Sequence, residues 1–119
     1  MSTAPAGRAL DGVAGRRILV TGGDGLIGSA VVRLLAERDA RVDVYDLGGP
    51  DAAARALRAG AENHTSGSVA DAETVAKMVA GHDAVVHLAG IAGLDGGTAE
   101  QIYTANTLGT FLVMEAAAR

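Results

Sequence analysis

The chain has 119 residues, 49% of them apolar, with no cysteine, a formal charge of −4 and a single lysine, Lys77. That is enough for one small domain or part of a larger one, and too apolar for a disordered segment. It excludes a disulfide framework and a thiolate metal site, and the scattered basic residues argue against a nucleic-acid partner.

The first ten residues, MSTAPAGRAL, are small and polar, and residues 1–15 read as a flexible N-terminal extension. Arg16 and Arg17 precede an apolar run that stops at Val20, too short for the core of an export signal. No stretch of about eighteen apolar residues exists, so no membrane span is expected, and a reducing, cytoplasmic setting is the default. Residues 18–20 are apolar or β-branched and bounded by turn residues, which predicts a buried strand. From Leu26 the spacing turns helical, with Ile27, Val31, Leu34 and Leu35 on one face and an end near Arg38. Residues 42–45 form a second predicted strand with Asp46 at its end. PDAAARALRAG, starting with Pro50 and ending at Gly60, carries the punctuation of a helix. A weak third strand is expected over residues 61–65. Asp71 can cap a helix over residues 72–80 with Val75, Met78 and Val79 facing inward. Residues 84–88 are the most apolar strand, and a last helix runs from about Thr98 to the chain end.

Strands alternating with helices imply an α/β doubly wound parallel sheet with right-handed crossovers and helices on both faces. About four strands are present, in the expected order 3-2-1-4 of a Rossmann half. The stretch TGGDGLIG sits between the first strand and its helix, and residues 23–28 fit G-x-G-x-x-G. Glycines there allow a tight turn, let backbone approach a pyrophosphate and let the helix sit close on the strand. The helix N-terminus then offers free N–H groups to phosphate oxygens. No Gly-Lys-Ser/Thr follows, which disfavours a nucleoside-triphosphate loop. Asp46 lies about twenty residues on, where a carboxylate can take both ribose hydroxyls of NAD. The bland alternatives are a structural turn for the loop and a solvated acid for Asp46. A 2′-phosphate would meet the charge of Asp46 and no arginine directly follows it, so NAD is expected over NADP. The carboxylate of Asp24 is expected to point to solvent or bond the loop's own amides, since facing inward it would repel a pyrophosphate.

ILVTGGDGLIGSAVVRLL, VYD, DAVVHLAG and NTLGTFLVMEAA, in this order, resemble the extended short-chain dehydrogenase/reductase family and its NAD-dependent epimerases and dehydratases of nucleotide sugars. The resemblance runs from about residue 17 to residue 119. It implies that Gly22, Gly23, Gly25 and Gly28 form the dinucleotide loop, with backbone from Leu26 and Ile27, and that Asp46 holds the adenosine ribose. It places Ser68 and Val69 near the adenine, where the family's aspartate is here a serine. Leu88, Ala89 and Gly90 would line the ribose and nicotinamide side, and Asn106 matches the family's helix-borne asparagine. His87 reads as a structural, hydrogen-bonded histidine on a buried strand. His64 and His82 read as loop residues without metal-ligand spacing. Tyr103 is expected to pack on the last helix, and Phe111 and Met114 to serve as core or interface residues.

The family's catalytic pair, Tyr-x-x-x-Lys, is absent: neither Tyr45 nor Tyr103 has a lysine four residues on. The resemblance therefore implies a cofactor-binding half without catalytic residues, in which a hydroxyl or carbonyl substrate would enter only with the rest of an enzyme. The alternatives are a non-catalytic dinucleotide-binding module and a truncated remnant. The open edge of the last strand predicts a marginally stable chain that forms homo-oligomers or belongs to a larger product.

Overall fold

The alternation of side chains along each strand decides which helix lies on which face. A computed structural model describes residues 12–93 and 95–119, so the outer part of the expected N-terminal extension, residues 1–11, lies outside the described residues. Strands β1 (Arg17–Thr21), β2 (Arg41–Asp46), β3 (Asn63–Ser66) and β4 (Ala84–His87) form one parallel sheet in the order β3-β2-β1-β4. Helices α1 (Leu26–Glu37), α2 (Ala52–Ala59) and α3 (Ala72–Val79) connect them, and α4 (Ala99–Tyr103) and α5 (Gly109–Ala117) follow. This is the expected doubly wound arrangement.

Ile18, Val20, Val42 and Val44 face one way and meet Val32 and Leu35 of α1 and Ala56 and Ala59 of α2. Leu19 and Tyr45, one residue out of phase, face the other way and meet Val75 and Val79 of α3 and Val113 of α5. Both faces are therefore covered, which is why these strands are apolar almost throughout. Val13 packs against the first cluster and the Gly15 amide donates to Asp39 O at 2.9 Å, so residues 12–15 belong to the folded body rather than to a loose extension.

Several expectations shift. The inward face of α1 is Gly28, Val32 and Leu35 with Val31 beside it, while Ile27 and Leu34 are exposed. The reason is Gly28, whose missing side chain brings this face against the glycine loop and sets the rotation of the helix. Pro50 precedes α2 by two residues instead of opening it, because Asp51 takes a left-handed turn as the cap. Gly60 does close α2, in a left-handed conformation. Strand β3 begins at Asn63 rather than residue 61, since Ala61 still bonds back to Ala56 O. His64 thus lies in a strand and not a loop. Asp71 caps α3 by accepting from the Thr74 amide at 3.2 Å. Leu88 lies just past β4, with its amide bonded to Thr21. The last helical stretch starts behind Thr98 with a reciprocal cap to Gln101, but a π-helical turn, Thr104–Leu108, interrupts it. Tyr103, Phe111 and Met114 are exposed, so none of them is a core residue. Among the described residues no helix is long and apolar enough to cross a membrane.

Candidate cofactor site

Beyond the C-terminal ends of the strands lies a crevice of about 1020 Å³, at the point where the strand order reverses between β1 and β4. That is where doubly wound sheets bind ligands. Its floor is the glycine loop. Gly22 has a left-handed backbone (φ +69°), and a Cβ there would lie 2.7 Å from the Ala89 nitrogen. A Cβ on Gly28 would run into the Gly22 carbonyl. A Cβ on Gly23 would meet Val44 at 2.7 Å. Helix α1 opens at Gly25 with no side-chain cap and no acid in its first turn, and its first turn-closing bond is Ser29 N to Gly25 O at 2.9 Å. The amides of Leu26, Ile27 and Gly28 precede that bond and have no helical acceptor. A helix end of this kind attracts an anion.

Gly22, Gly25, Asp46, Ser68, Val69, Leu88, Ala89 and Gly90 all line the crevice. Gly23 and Gly28 lie behind it as spacers, and the Leu26 and Ile27 side chains point away, exposed, leaving only their backbone to the site. Asn106 is behind the β4 wall. It accepts from the Ile91 amide at 2.6 Å and donates to Ile91 O at 2.9 Å, clamping the loop, and a Cβ on Gly90 would sit 2.8 Å from its oxygen. The π turn carries it into that position. Thr98, Gln101 and Thr104 also line the crevice. The Thr-x-x-Gln cap was the only local signal for that wall.

Asp46 is buried and heavily bonded. Its Oδ1 accepts from Gly48 N at 2.9 Å and from His64 Nε2 at 2.8 Å, and its Oδ2 accepts from Asp24 N at 3.1 Å. A carboxylate has about four acceptor positions, and three are filled. One acceptor position, on Oδ2, stays open. Ser68 Oγ accepts from Ala70 N at 3.1 Å, and Ser68 O accepts from the buried Tyr45 hydroxyl at 2.7 Å. Burial pushes the Tyr45 phenol above its ordinary value, so it stays a neutral donor. The Asp24 carboxylate bonds neither solvent alone nor the loop amides. It forms a two-pronged ion pair with Arg55 of α2, both contacts at 2.7 Å. The hydrogen bond from Arg55 holds it below the ordinary carboxylate value. Among the described residues no three His, Asp or Glu side chains converge on a metal-sized position.

The β4 wall is held by Thr21. Its Oγ1 accepts from the Leu88 and Ala89 amides at 3.0 and 3.1 Å and donates to His87 Nδ1 at 2.6 Å. His87 Nε2 donates to Thr110 Oγ1 at 3.0 Å, which donates to Asn106 O at 2.8 Å. This chain of bonds assigns the neutral histidine with its proton on Nε2. Burial lowers the His87 pKa below the usual histidine value. The unfolded chain then takes up a proton that the fold resists, so stability is full above about pH 6.5 and falls as pH drops from there. Thermal melts of wild type and His87→Asn between about pH 7.5 and 5.5 check this. The variant is expected to lose part of the acid-side decline, and an equal slope in both would remove His87 from the account.

A model of the NAD dependent epimerase/dehydratase family matches residues 18–119. A dTDP-glucose 4,6-dehydratase from Streptomyces niveus is 36% identical over 115 residues, covering 87% of this chain and 34% of that protein. Among solved structures, the UDP-Glc/GlcNAc 4-epimerase from Campylobacter jejuni superposes with a TM-score of 0.76 at 25% identity, over 87% of this chain and 34% of the epimerase. An NADH-dependent reductase, A1-R′, complexed with NAD shares the fold with a TM-score of 0.71 at 19% identity, over 91% of this chain and 52% of the reductase. The chain thus spans about a third of the dehydratase and the epimerase. The match across residues 18–119 shows that this chain belongs to the NAD-dependent epimerase/dehydratase family.

Proposed function

We propose that this chain binds NAD as the cofactor-holding part of an epimerase or dehydratase that acts on a nucleotide sugar. The observation that carries the reading is the uncapped N-terminus of α1, with three free amides above a glycine floor and no acid in its first turn. The pyrophosphate would rest on those amides, and Gly25 leaves space for it. Asp46 would accept one adenosine hydroxyl, and its charge favours NAD over NADP. Val69 and Ser68 would face the adenine, and Leu88, Ala89 and Gly90 the nicotinamide side. When bound, the nicotinamide accepts and returns a hydride, which is the chemistry that sugar epimerisation and dehydration share.

The dehydratase and epimerase relatives support a sugar nucleotide as the substrate class of the whole protein. The residues here that hold the cofactor do not include a proton-abstracting pair: Tyr45 is buried, Tyr103 is exposed on α4, and Lys77 is on the outer face of α3 paired with Glu73 at 3.3 Å. Among the described residues no strand pairs with the outer edge of β4, and Phe111 and Met114 are exposed, which supports association. Titration calorimetry with NAD and NADP tests the cofactor reading. NAD is expected to bind at least about tenfold more tightly than NADP, a difference of ~1.4 kcal/mol. Failure to bind NAD at millimolar concentration would overturn it.

A further inference from the structure

The Asp24–Arg55 ion pair joins residues 31 apart and sits at a junction. Asp24 lines the large crevice and also a smaller neighbouring cleft of about 230 Å³. Arg33, Arg55 and Arg58 line that smaller cleft together with Ser29. Three guanidiniums beside the Asp46 end of the crevice would form an anion pocket if they were free, since each presents a fork that matches phosphate oxygens. They are not all free. Asp24 takes both prongs of Arg55, and Pro50 O accepts a third bond from it at 2.8 Å. The Asp24 amide, on the other side of the same residue, donates to Asp46. One residue therefore fixes the ribose-facing carboxylate through its backbone and occupies the nearest arginine through its side chain.

We infer that Asp24 is a specificity-determining residue of the dinucleotide site: by holding Arg55 it withholds that guanidinium from a phosphate on the adenosine ribose and so selects the unphosphorylated dinucleotide. The inference rests on the cofactor reading above. Asp24 adds a second negative charge to that of Asp46 where the 2′-phosphate would enter. Without it, Arg55 is released beside Arg33 and Arg58, and the cleft keeps three guanidiniums with no carboxylate among its lining residues. The pair is partly exposed, so the effect on selectivity is one of moderate size.

The test is the ratio of NADP to NAD affinity, measured by calorimetry on the full chain and on Asp24→Asn, Arg55→Ala and the double variant. Asp24→Asn is expected to raise the ratio roughly tenfold, the scale of one new charge-assisted hydrogen bond to the phosphate. Arg55→Ala is expected to give no such rise, because it leaves Asp24 unpaired in the cleft, and adding it to Asp24→Asn is expected to abolish the rise. A ratio in Asp24→Asn within about threefold of wild type would overturn the inference, as would an equal rise in Arg55→Ala, which would mean that the pair only blocks the cleft. NAD binding with an unchanged ratio overturns this inference alone. Absence of NAD binding in the wild type overturns the cofactor reading and takes this inference with it.

Discussion

Gly28→Ala is expected to destabilise the fold by about 2 kcal/mol and to weaken dinucleotide binding by at least about tenfold. One methyl group is enough. The new Cβ would overlap the Gly22 carbonyl and lie 2.9 Å from Gly22 C and Gly23 Cα. These are backbone atoms, so no side chain can swing aside, and either α1 or the loop must move. A shift of α1 carries away the three free amides, which is why binding falls together with stability. Gly25→Ala separates the two effects. Its Cβ would meet only Gly22 O at 3.4 Å, and its backbone at φ −74° suits any residue. That variant should stay within about 1 kcal/mol of wild type in a urea melt while still losing affinity, because the methyl projects into the crevice. Equal melts for Gly28→Ala and wild type would show that the close approach has no energetic consequence.

Asp43→Ala is expected to cost about 3 kcal/mol, the largest single loss among the polar positions. Asp43 lies in the middle of β2 and is 5% exposed. It accepts from Arg17 at 3.0 Å, from Asn63 at 2.8 Å and from His82 at 2.7 Å. Burial opposes its ionisation, but these hydrogen bonds outweigh burial and hold the carboxyl below its ordinary value. Alanine leaves three donors facing a gap, and the buried His82 Nδ1 already has no partner. The sign with pH follows from the lowered value. The contribution is complete above about pH 4 and disappears as pH falls through the folded-state pKa. Urea melts at about pH 7 and pH 3 should therefore show a gap between wild type and Asp43→Ala that narrows in acid. A gap of constant size would mean that packing, and not the carboxylate, accounts for the loss.

Much of this was legible along the chain. The glycine loop is a local device: strand, turn and helix are neighbours in sequence, and only glycine satisfies the close approaches at Gly22 and Gly28. The acid at the end of β2 and the caps at Asp71 and Thr98 are local as well. Periodicity alone does not orient α1. Ile27 and Leu34 fit an apolar stripe, but Gly28 presses its own side of the helix onto the loop, and the stripe turns with it. The same limit applies to Phe111 and Met114, apolar residues on a helix that leaves them in solvent.

The sequence by itself determined the parallel α/β order and the glycine loop between β1 and α1, because these follow from apolar alternation and turn chemistry within a few residues. The tertiary structure alone decided how the polar groups pair. Arg55 reaches Asp24 across 31 residues, His64 reaches Asp46 across 18, and His82 reaches Asp43 across 39. Composition does not encode such partners. A charged side chain takes whichever opposite charge the sheet register and helix rotation bring within about 3 Å, and burial makes the choice matter.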